Sequence, residues 1–347
     1  MSSSVPPSTS AISTEANAEE PQRDSSFLRY ISTKLGGAAL SLVMVVILGF
    51  FLFRILPGDP VAAIARERQM TPEQVQLLRE SYGLDKSLGE QFIDYIVNVF
   101  TLNFGESYVY SQSVSSLIAD YFWPTVLLTG TAAILAIILG LWLGTRAGWK
   151  RNSRFDKFVS SSSLVFWSVP TFWLALILLM IFGGTLRWFP TGGMVSLDAP
   201  SDPLGYSLDV ISHMVLPVIT MTAVIYAQYL MVMRSSIIEE ATADYATTAR
   251  AKGLKEDQIL NKHVVPNALL PTVTLVFMHI GGLIAGAVTV EAVFSWPGLG
   301  KLTFEAITGP DLPLLQGTFV VFSAIIIVMN FLADLIYRRL DPRVRRA

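Results

Sequence analysis

Six intervals of the chain, 35–53, 121–145, 158–186, 210–233, 264–290 and 312–333, contain no Asp, Glu, Lys or Arg. A helix rising 1.5 Å per residue needs about 20 residues to cross about 30 Å of hydrocarbon. Each interval can hold one such crossing. Helices of soluble proteins usually carry charge on their exposed face, so six uninterrupted apolar runs point to a bilayer rather than a buried core. Within lipid every backbone N–H and C=O must be paired internally, and helices do this segment by segment. The expectation is therefore an all-α integral membrane protein with six transmembrane helices, at about 35–56, 124–145, 158–182, 212–233, 271–290 and 314–336. A mean hydropathy of +0.51 and a charged fraction of 15% agree with it.

Charge between the spans sets the orientation. Arg23, Arg29 and Lys34 precede the first span, and Arg146, Lys150, Arg151, Arg154 and Lys157 fill the second connection. Arg234, Arg250, Lys252, Lys255 and Lys262 occupy the fourth, and Arg338, Arg339, Arg343, Arg345 and Arg346 crowd the C-terminus. The short third and fifth connections supply only Arg187 and Lys301. Basic residues stay on the cytoplasmic side, so both termini are expected in the cytoplasm. The long first loop is a translocated segment, in which charge has little influence.

Residues 1–26 are rich in Ser, Pro, Ala and Glu without an apolar stretch, and are expected to form a disordered cytoplasmic tail. A permease body over 27–342 and a basic tail over 343–347 complete the division. In the external loop, 57–123, Thr71-Pro72-Glu73-Gln74 is a capping-box helix start, and Gly83 can close that helix. Phe92, Tyr95, Ile96 and Val99 follow at helical spacing. The pairs Gly140/Gly144 and Gly282/Gly286 have the spacing that lets helix backbones meet closely in lipid, within one chain or between subunits.

Chemistry is sparse. There is no cysteine, hence no disulfide, thiolate nucleophile or Cys-ligated metal, and His213, His263 and His279 are scattered. The fragment Gly298-Leu299-Gly300-Lys301-Leu302-Thr303 lacks the glycine spacing of a phosphate loop and has Leu302 where a hydroxyl would hold magnesium. His279 is the one titratable side chain well inside a span, either a functional group or a neutral partner for a neighbouring helix. The carboxylates Asp120, Asp209, Glu291, Asp311 and Asp334 stand at span ends, unlike the proton relay of an ion-driven transporter, and no inverted repeat is visible.

One polar stretch with helical spacing, DYATTARAKGLKEDQILNKHVVPNALLP at 244–271, falls on the cytoplasmic side. Asp244 can cap a helix, Ala246, Ala249 and Ala251 permit close approach, and Gly253 can take a positive-φ turn. Asp244-Tyr245, Thr248-Ala249-Arg250-Ala251-Lys252-Gly253-Leu254 and Pro266-Asn267-Ala268-Leu269-Leu270-Pro271 resemble the coupling loop of ABC-importer permeases of the dipeptide, oligopeptide and nickel class, with Thr247 where many importers carry a glutamate. Further motifs of the B-type permease follow in the same order. They are Leu56-Pro57-Gly58-Asp59-Pro60, Asn103-Phe104-Gly105-Glu106-Ser107, Pro124-Thr125, Ser168-Val169-Pro170-Thr171-Phe172-Trp173, Phe189-Pro190-Thr191-Gly192-Gly193, Glu291 to Gly300, and Asp311 to Gly317. The resemblance covers about 30–342.

That resemblance implies a type I ABC-importer permease in the cytoplasmic (inner) membrane of a prokaryote, with a coupling loop at 234–270. It implies a C-type permease, two P-loop ATPase subunits, an external substrate-binding protein, a peptide substrate and the lipid bilayer as partners, and no nucleic acid. ATP and magnesium would be bound by the ATPases, so this chain has no catalytic residue, cofactor or metal of its own. Asp244, Tyr245, Ala249, Arg250, Ala251, Lys252, Gly253 and Leu254 are the coupling candidates. Glu291, Phe294, Pro297, Gly298, Gly300 and Asp311 are candidates for an external gate or docking face, against the alternative of a rigid turn between the last two spans. A nickel or other small-solute importer is the nearest alternative, and an ion-driven transporter or a membrane scaffold the more distant ones.

Overall fold

The computed structural model describes residues 23–55, 61, 65, 69–81, 83–309 and 311–340. Most of the expected tail, 1–22, the motif Leu56 to Pro60 and the basic end 341–347 lie outside the described residues. The described chain is helical: α1 (Arg23–Ile55), α2 (Pro72–Ser81), α3 (Leu88–Phe100), α4 (Val114–Trp149), α5 (Arg154–Ser168) and α6 (Thr171–Leu178), which continues as a π-helix over Leu179–Thr185. Then come α7 (Pro203–Glu240), α8 (Asp244–Ala251), α9 (Glu256–Ile259), a π-turn (Leu260–Val264), α10 (Val265–Val293), α11 (Leu299–Thr308) and α12 (Leu312–Leu340).

The long helices α4 and α7 form the centre and share the most extensive contact in the molecule. Small residues make it possible. A Cβ at Gly140 would stand 2.5 Å from the Tyr229 Cβ, one at Gly144 2.6 Å from the Leu230 carbonyl, and one at Gly148 2.7 Å from the Arg234 carbonyl. This glycine stripe therefore serves contact within the chain, and Gly148 extends it by a turn. The surroundings of Gly282 and Gly286 lie outside the described residues. Helices α1 and α12 pack side by side in opposite directions: Lys34 pairs with Asp334 at 2.7 Å, and Phe53 meets the Phe319 ring edge-on at 5.6 Å.

Six spanning helices are not found. Among the described residues four helices are long and apolar enough to cross a membrane, at Arg29–Phe53, Val114–Trp149, Pro203–Glu240 and Leu312–Ile336. The bent pair α5–α6 makes a fifth if it counts as one crossing. The continuous third span expected at 158–182 is broken, because the two pieces meet at 101° across Val169-Pro170. Pro170 has no N–H to continue the ladder and pushes its predecessor out of the helical region; Val169 accordingly has φ −78°, ψ 129°. The span expected at 271–290 falls in α10, where many side chains between 274 and 286 lie outside the described residues, and it does not enter the count. Charge-free length records hydropathy, not helix continuity.

Other boundaries move as well. Helix α4 starts at Val114 and contains Pro124, so that proline lies inside the helix rather than opening a span. Helix α7 runs to Glu240 and α10 begins at Val265, so residues 241–264 connect the two long helices. The two short helices expected in the first loop form as α2 and α3, each with a reciprocal cap. Thr71 N–H donates to Gln74 Oε1 (2.9 Å) and Gln74 N–H to Thr71 Oγ1 (3.4 Å), while Ser87 and Glu90 exchange the same pair of bonds.

Candidate functional site

The segment after α7 folds as two short helices around a glycine. Helix α8 ends in a Schellman motif: Gly253 N–H donates to the Arg250 carbonyl (2.9 Å) and Leu254 N–H to the Ala249 carbonyl (3.3 Å). Gly253 has φ +77° and open space around the position of a missing Cβ, so backbone conformation alone selects glycine there. Asp244 is not the N-cap. Ala243 takes that position in an extended conformation without a side-chain bond, and Asp244 stands in the first helical turn, where its charge complements the helix dipole.

The alanines divide the element into two faces. Ala246 and Ala249 are buried in one apolar cluster with Met233 and Ile237 of α7 and with Ile259, Val264 and Ala268, whereas Asp244, Tyr245, Arg250, Ala251, Lys252, Gly253 and Leu254 are exposed. Ala249 thus faces the apolar cluster of its own chain. Arg250 is exposed but engaged. Its guanidinium donates to Glu256 Oε1 (3.0 Å) and to the Ala241 carbonyl (2.9 Å) and lies 5.8 Å from the Trp149 ring centroid. It ties α8 to α9, to the end of α7 and to the end of α4. The Tyr245 hydroxyl donates to Glu240, and burial followed by that bond raises its pKa above the ordinary phenol value.

Behind this element lies an ion pair that the sequence reading did not single out. Arg234 of α7 meets Asp156 of α5 side-on, Nε to Oδ1 at 2.5 Å and Nη2 to Oδ2 at 2.8 Å. Asp156 is 2% exposed and also accepts from the Asn152 amide (2.9 Å) and the Ser160 hydroxyl (3.1 Å). Ser153 caps α5 by accepting the Asp156 N–H at 3.1 Å. The S-x-x-D pattern before an apolar run was the available signal for the cap. Nothing local announced the partner, which is 78 residues away.

At the opposite end of the bundle, the residues expected to form a gate are mostly buried. Glu291, fully buried, accepts from the Thr125 hydroxyl (2.8 Å), the Gly300 amide (2.7 Å) and the Lys301 amide (3.1 Å). The Leu299 N–H donates to Thr125 Oγ1 at 2.7 Å, so a carboxylate and a hydroxyl together satisfy the free amides at the start of α11. A Cβ at Gly298 would lie 2.3 Å from Glu291, and one at Gly300 2.5 Å from the Val288 Cα. Phe294 and Trp296 are buried in the central apolar cluster, Trp296 Nε1 donates to the Pro124 carbonyl (3.0 Å), and Pro297 is partly buried. Asp311 is likewise internal: its carboxylate accepts from the Ser107 hydroxyl (2.5 Å), the Val109 amide (3.1 Å) and the Leu314 amide (3.2 Å), joining the first loop to the start of α12. Glu291 and Thr125 thus brace α4, α10 and α11 together, and Asp311 braces the first loop against the start of α12. Among the described residues, no group of three or more His, Cys, Asp or Glu is placed to hold a metal ion.

The described residues form a multi-pass helical bundle, braced at one end and carrying an exposed two-helix element at the other. The chain matches the model of the binding-protein-dependent transport system inner membrane component over residues 136–346, and the N-terminal model of the same systems over 27–129. It is 35% identical to the di/tripeptide transport system permease protein DppB of Pseudomonas aeruginosa, covering 92% of this chain and 99% of that one. It is 33% identical to the dipeptide transport system permease protein DppB of Lactococcus lactis and 34% to the glutathione transport system permease protein GsiC of Salmonella typhimurium, each over the same shares. The MetNI methionine ABC transporter shares the fold at TM-score 0.52 and 18% identity, over 65% of this chain and 96% of that one. The chain belongs to the family of binding-protein-dependent transport system inner membrane components. It is a multi-pass permease subunit of an ABC importer and not an enzyme, and ATP hydrolysis resides in partner subunits.

Proposed function

We propose that this chain is the B-type half of a pathway that moves small peptides into the cell, with α8 and α9 as the element that receives motion from the ATPases. The observation that carries this reading is the two-faced build of that element. Its inner face, Ala246, Ala249 and Ile259, shares one apolar cluster with Met233 and Ile237 of α7, and its outer face presents Tyr245, Lys252, Gly253 and Leu254. An exposed element that shares an apolar cluster with a long central helix can pass a push at its surface to that helix, shifting the balance between inward-facing and outward-facing states. The peptide class is supported by the names of the relatives, whose substrates are di- and tripeptides or glutathione, itself a γ-linked tripeptide.

In this arrangement a C-type permease completes the pathway, one of two P-loop ATPases docks on the 244–271 segment of this chain, and an external binding protein delivers the peptide. Both termini lie in the cytoplasm. The basic connections support that orientation, as does the Lys34–Asp334 pair, which brings the start of the first span and the end of the last to one level.

Purification of the tagged chain from native membranes in mild detergent, followed by mass spectrometry and ATPase assay, tests the assembly. Recovery of a second permease and P-loop ATPases is the expected result. Reconstitution with the recovered binding protein should then give ATP-dependent uptake of labelled di- or tripeptide, and nickel uptake unaffected by peptide competitors would overturn the peptide assignment.

A further inference from the structure

Helix α3 has more apolar surface than its packing uses. Phe92, Tyr95, Ile96 and Val99 turn toward α1 and α12, with Val99 buried between Val46 and Val320. Ile93, Val97 and Phe100 form a second stripe at i, i+4 and i+7, and they are 63%, 54% and 64% exposed. Glu90, Asp94 and Asn98 make a third, polar edge, with Asp94 paired to Lys86 at 2.7 Å. Such a helix has a side for protein, a side for water and a side that water does not suit.

Its depth identifies the missing neighbour. At the N-terminal end of α3, Phe92 lies 5.1 Å from the Phe50 ring centroid and stacks on Phe51 at 6.2 Å. At the C-terminal end Val99 packs with Val46, one turn further into the first span. Helix α3 therefore descends along α1. Val46 stands eight residues before Arg54, the charge that closes this apolar interval, or roughly 12 Å along the helix axis. At this level α1 itself exposes Leu48, Phe51 and Leu52, the outward side of a spanning helix.

We propose that α3 dips into the bilayer and that lipid acyl chains cover Ile93, Val97 and Phe100, continuing the lipid-facing side of α1. The polar edge then faces the headgroup region and water. The proposal rests on the membrane location of the chain and is independent of the transported solute.

The absence of cysteine makes a direct test possible, since each introduced thiol is the only one in the chain. Ile93→Cys, Val97→Cys, Phe100→Cys and Glu90→Cys are prepared in the whole importer, spin-labelled and reconstituted in phosphatidylcholine vesicles. Collision with dissolved oxygen is compared with collision with a water-soluble nickel chelate. Oxygen should dominate at 93, 97 and 100, and the chelate at 90. Dominance of the chelate along the stripe overturns the proposal in favour of a solvent-exposed cap; exclusion of both reagents overturns it in favour of a protein partner. Oligomer recovery on size-exclusion chromatography identifies any variant that fails to assemble, and the remaining stripe positions then carry the same comparison.

Discussion

Arg234 and Asp156 join the C-terminal half of α7 to the first turn of α5 through two charge-assisted bonds, at 2.5 and 2.8 Å. One partner sits on the helix that leads into α8, the other on the bent pair whose break at Pro170 divides the helical path in two. The pair thus fixes a straight helix to a jointed one. Removing one charge leaves the other buried or half-buried without compensation. Asp156→Asn should lower stability by about 3 kcal/mol, while Asp156→Asn combined with Arg234→Gln should cost less than the single change. Thermal unfolding of the purified importer in nanodiscs reads this, and equal losses in the single and double variants would contradict it.

The glycine stripe on α4 predicts a graded response. Even Gly144→Ala places a Cβ 2.6 Å from the Leu230 carbonyl, so α4 and α7 must separate. A loss of about 1–3 kcal/mol is expected for alanine, and failure to accumulate for leucine. Yield of folded protein and melting temperature report the effect; Gly130→Ala, a position open to space, should change neither.

Glu291 predicts a separation between two substitutions. Glutamine retains a carbonyl oxygen for the Gly300 and Lys301 amides and an amide that can face Thr125, while alanine leaves buried donors unpaired at about 1–3 kcal/mol each. Glu291→Ala should assemble poorly and Glu291→Gln nearly normally. A gate carboxylate would behave differently, with Glu291→Gln assembling well yet losing uptake, so uptake by assembled Glu291→Gln decides between brace and gate.

For the coupling element, Gly253→Val forces a β-branched residue to φ +77°. The expected outcome is an importer that remains assembled in the membrane and hydrolyses ATP without moving peptide. Gly253→Asn, which tolerates that region of backbone space, should keep more of the transport. Uptake by Gly253→Val at the wild-type ratio of peptide to ATP would remove the coupling role from this turn.

How far the sequence led depended on the range of the interactions. The α8–Gly253–α9 element was legible because its signals are local: a run of alanines, a glycine and the polar residues between them. The capped helices α2 and α3 were legible for the same reason. The burial of Glu291 and Asp311 is not legible in the sequence because their bonds join distant positions, Thr125 to Glu291 across 166 residues and Ser107 to Asp311 across 204. A carboxylate beside glycines looks exposed until the amides it caps are brought to it. Asp156 was passed over for want of a local cue to its arginine. Counting charge-free intervals treats 158–186 as one straight span, because hydropathy does not register the 101° break that Pro170 imposes.

The pairing of α1 with α12 also has a consequence in time. Tyr30 donates a hydrogen bond to the Asp334 carbonyl across 304 residues of chain. At about 5–20 residues per second, ribosomal synthesis separates the two by roughly 15–60 s. The first helix enters the bilayer long before its last neighbour exists, and the bundle closes only when the final helix arrives.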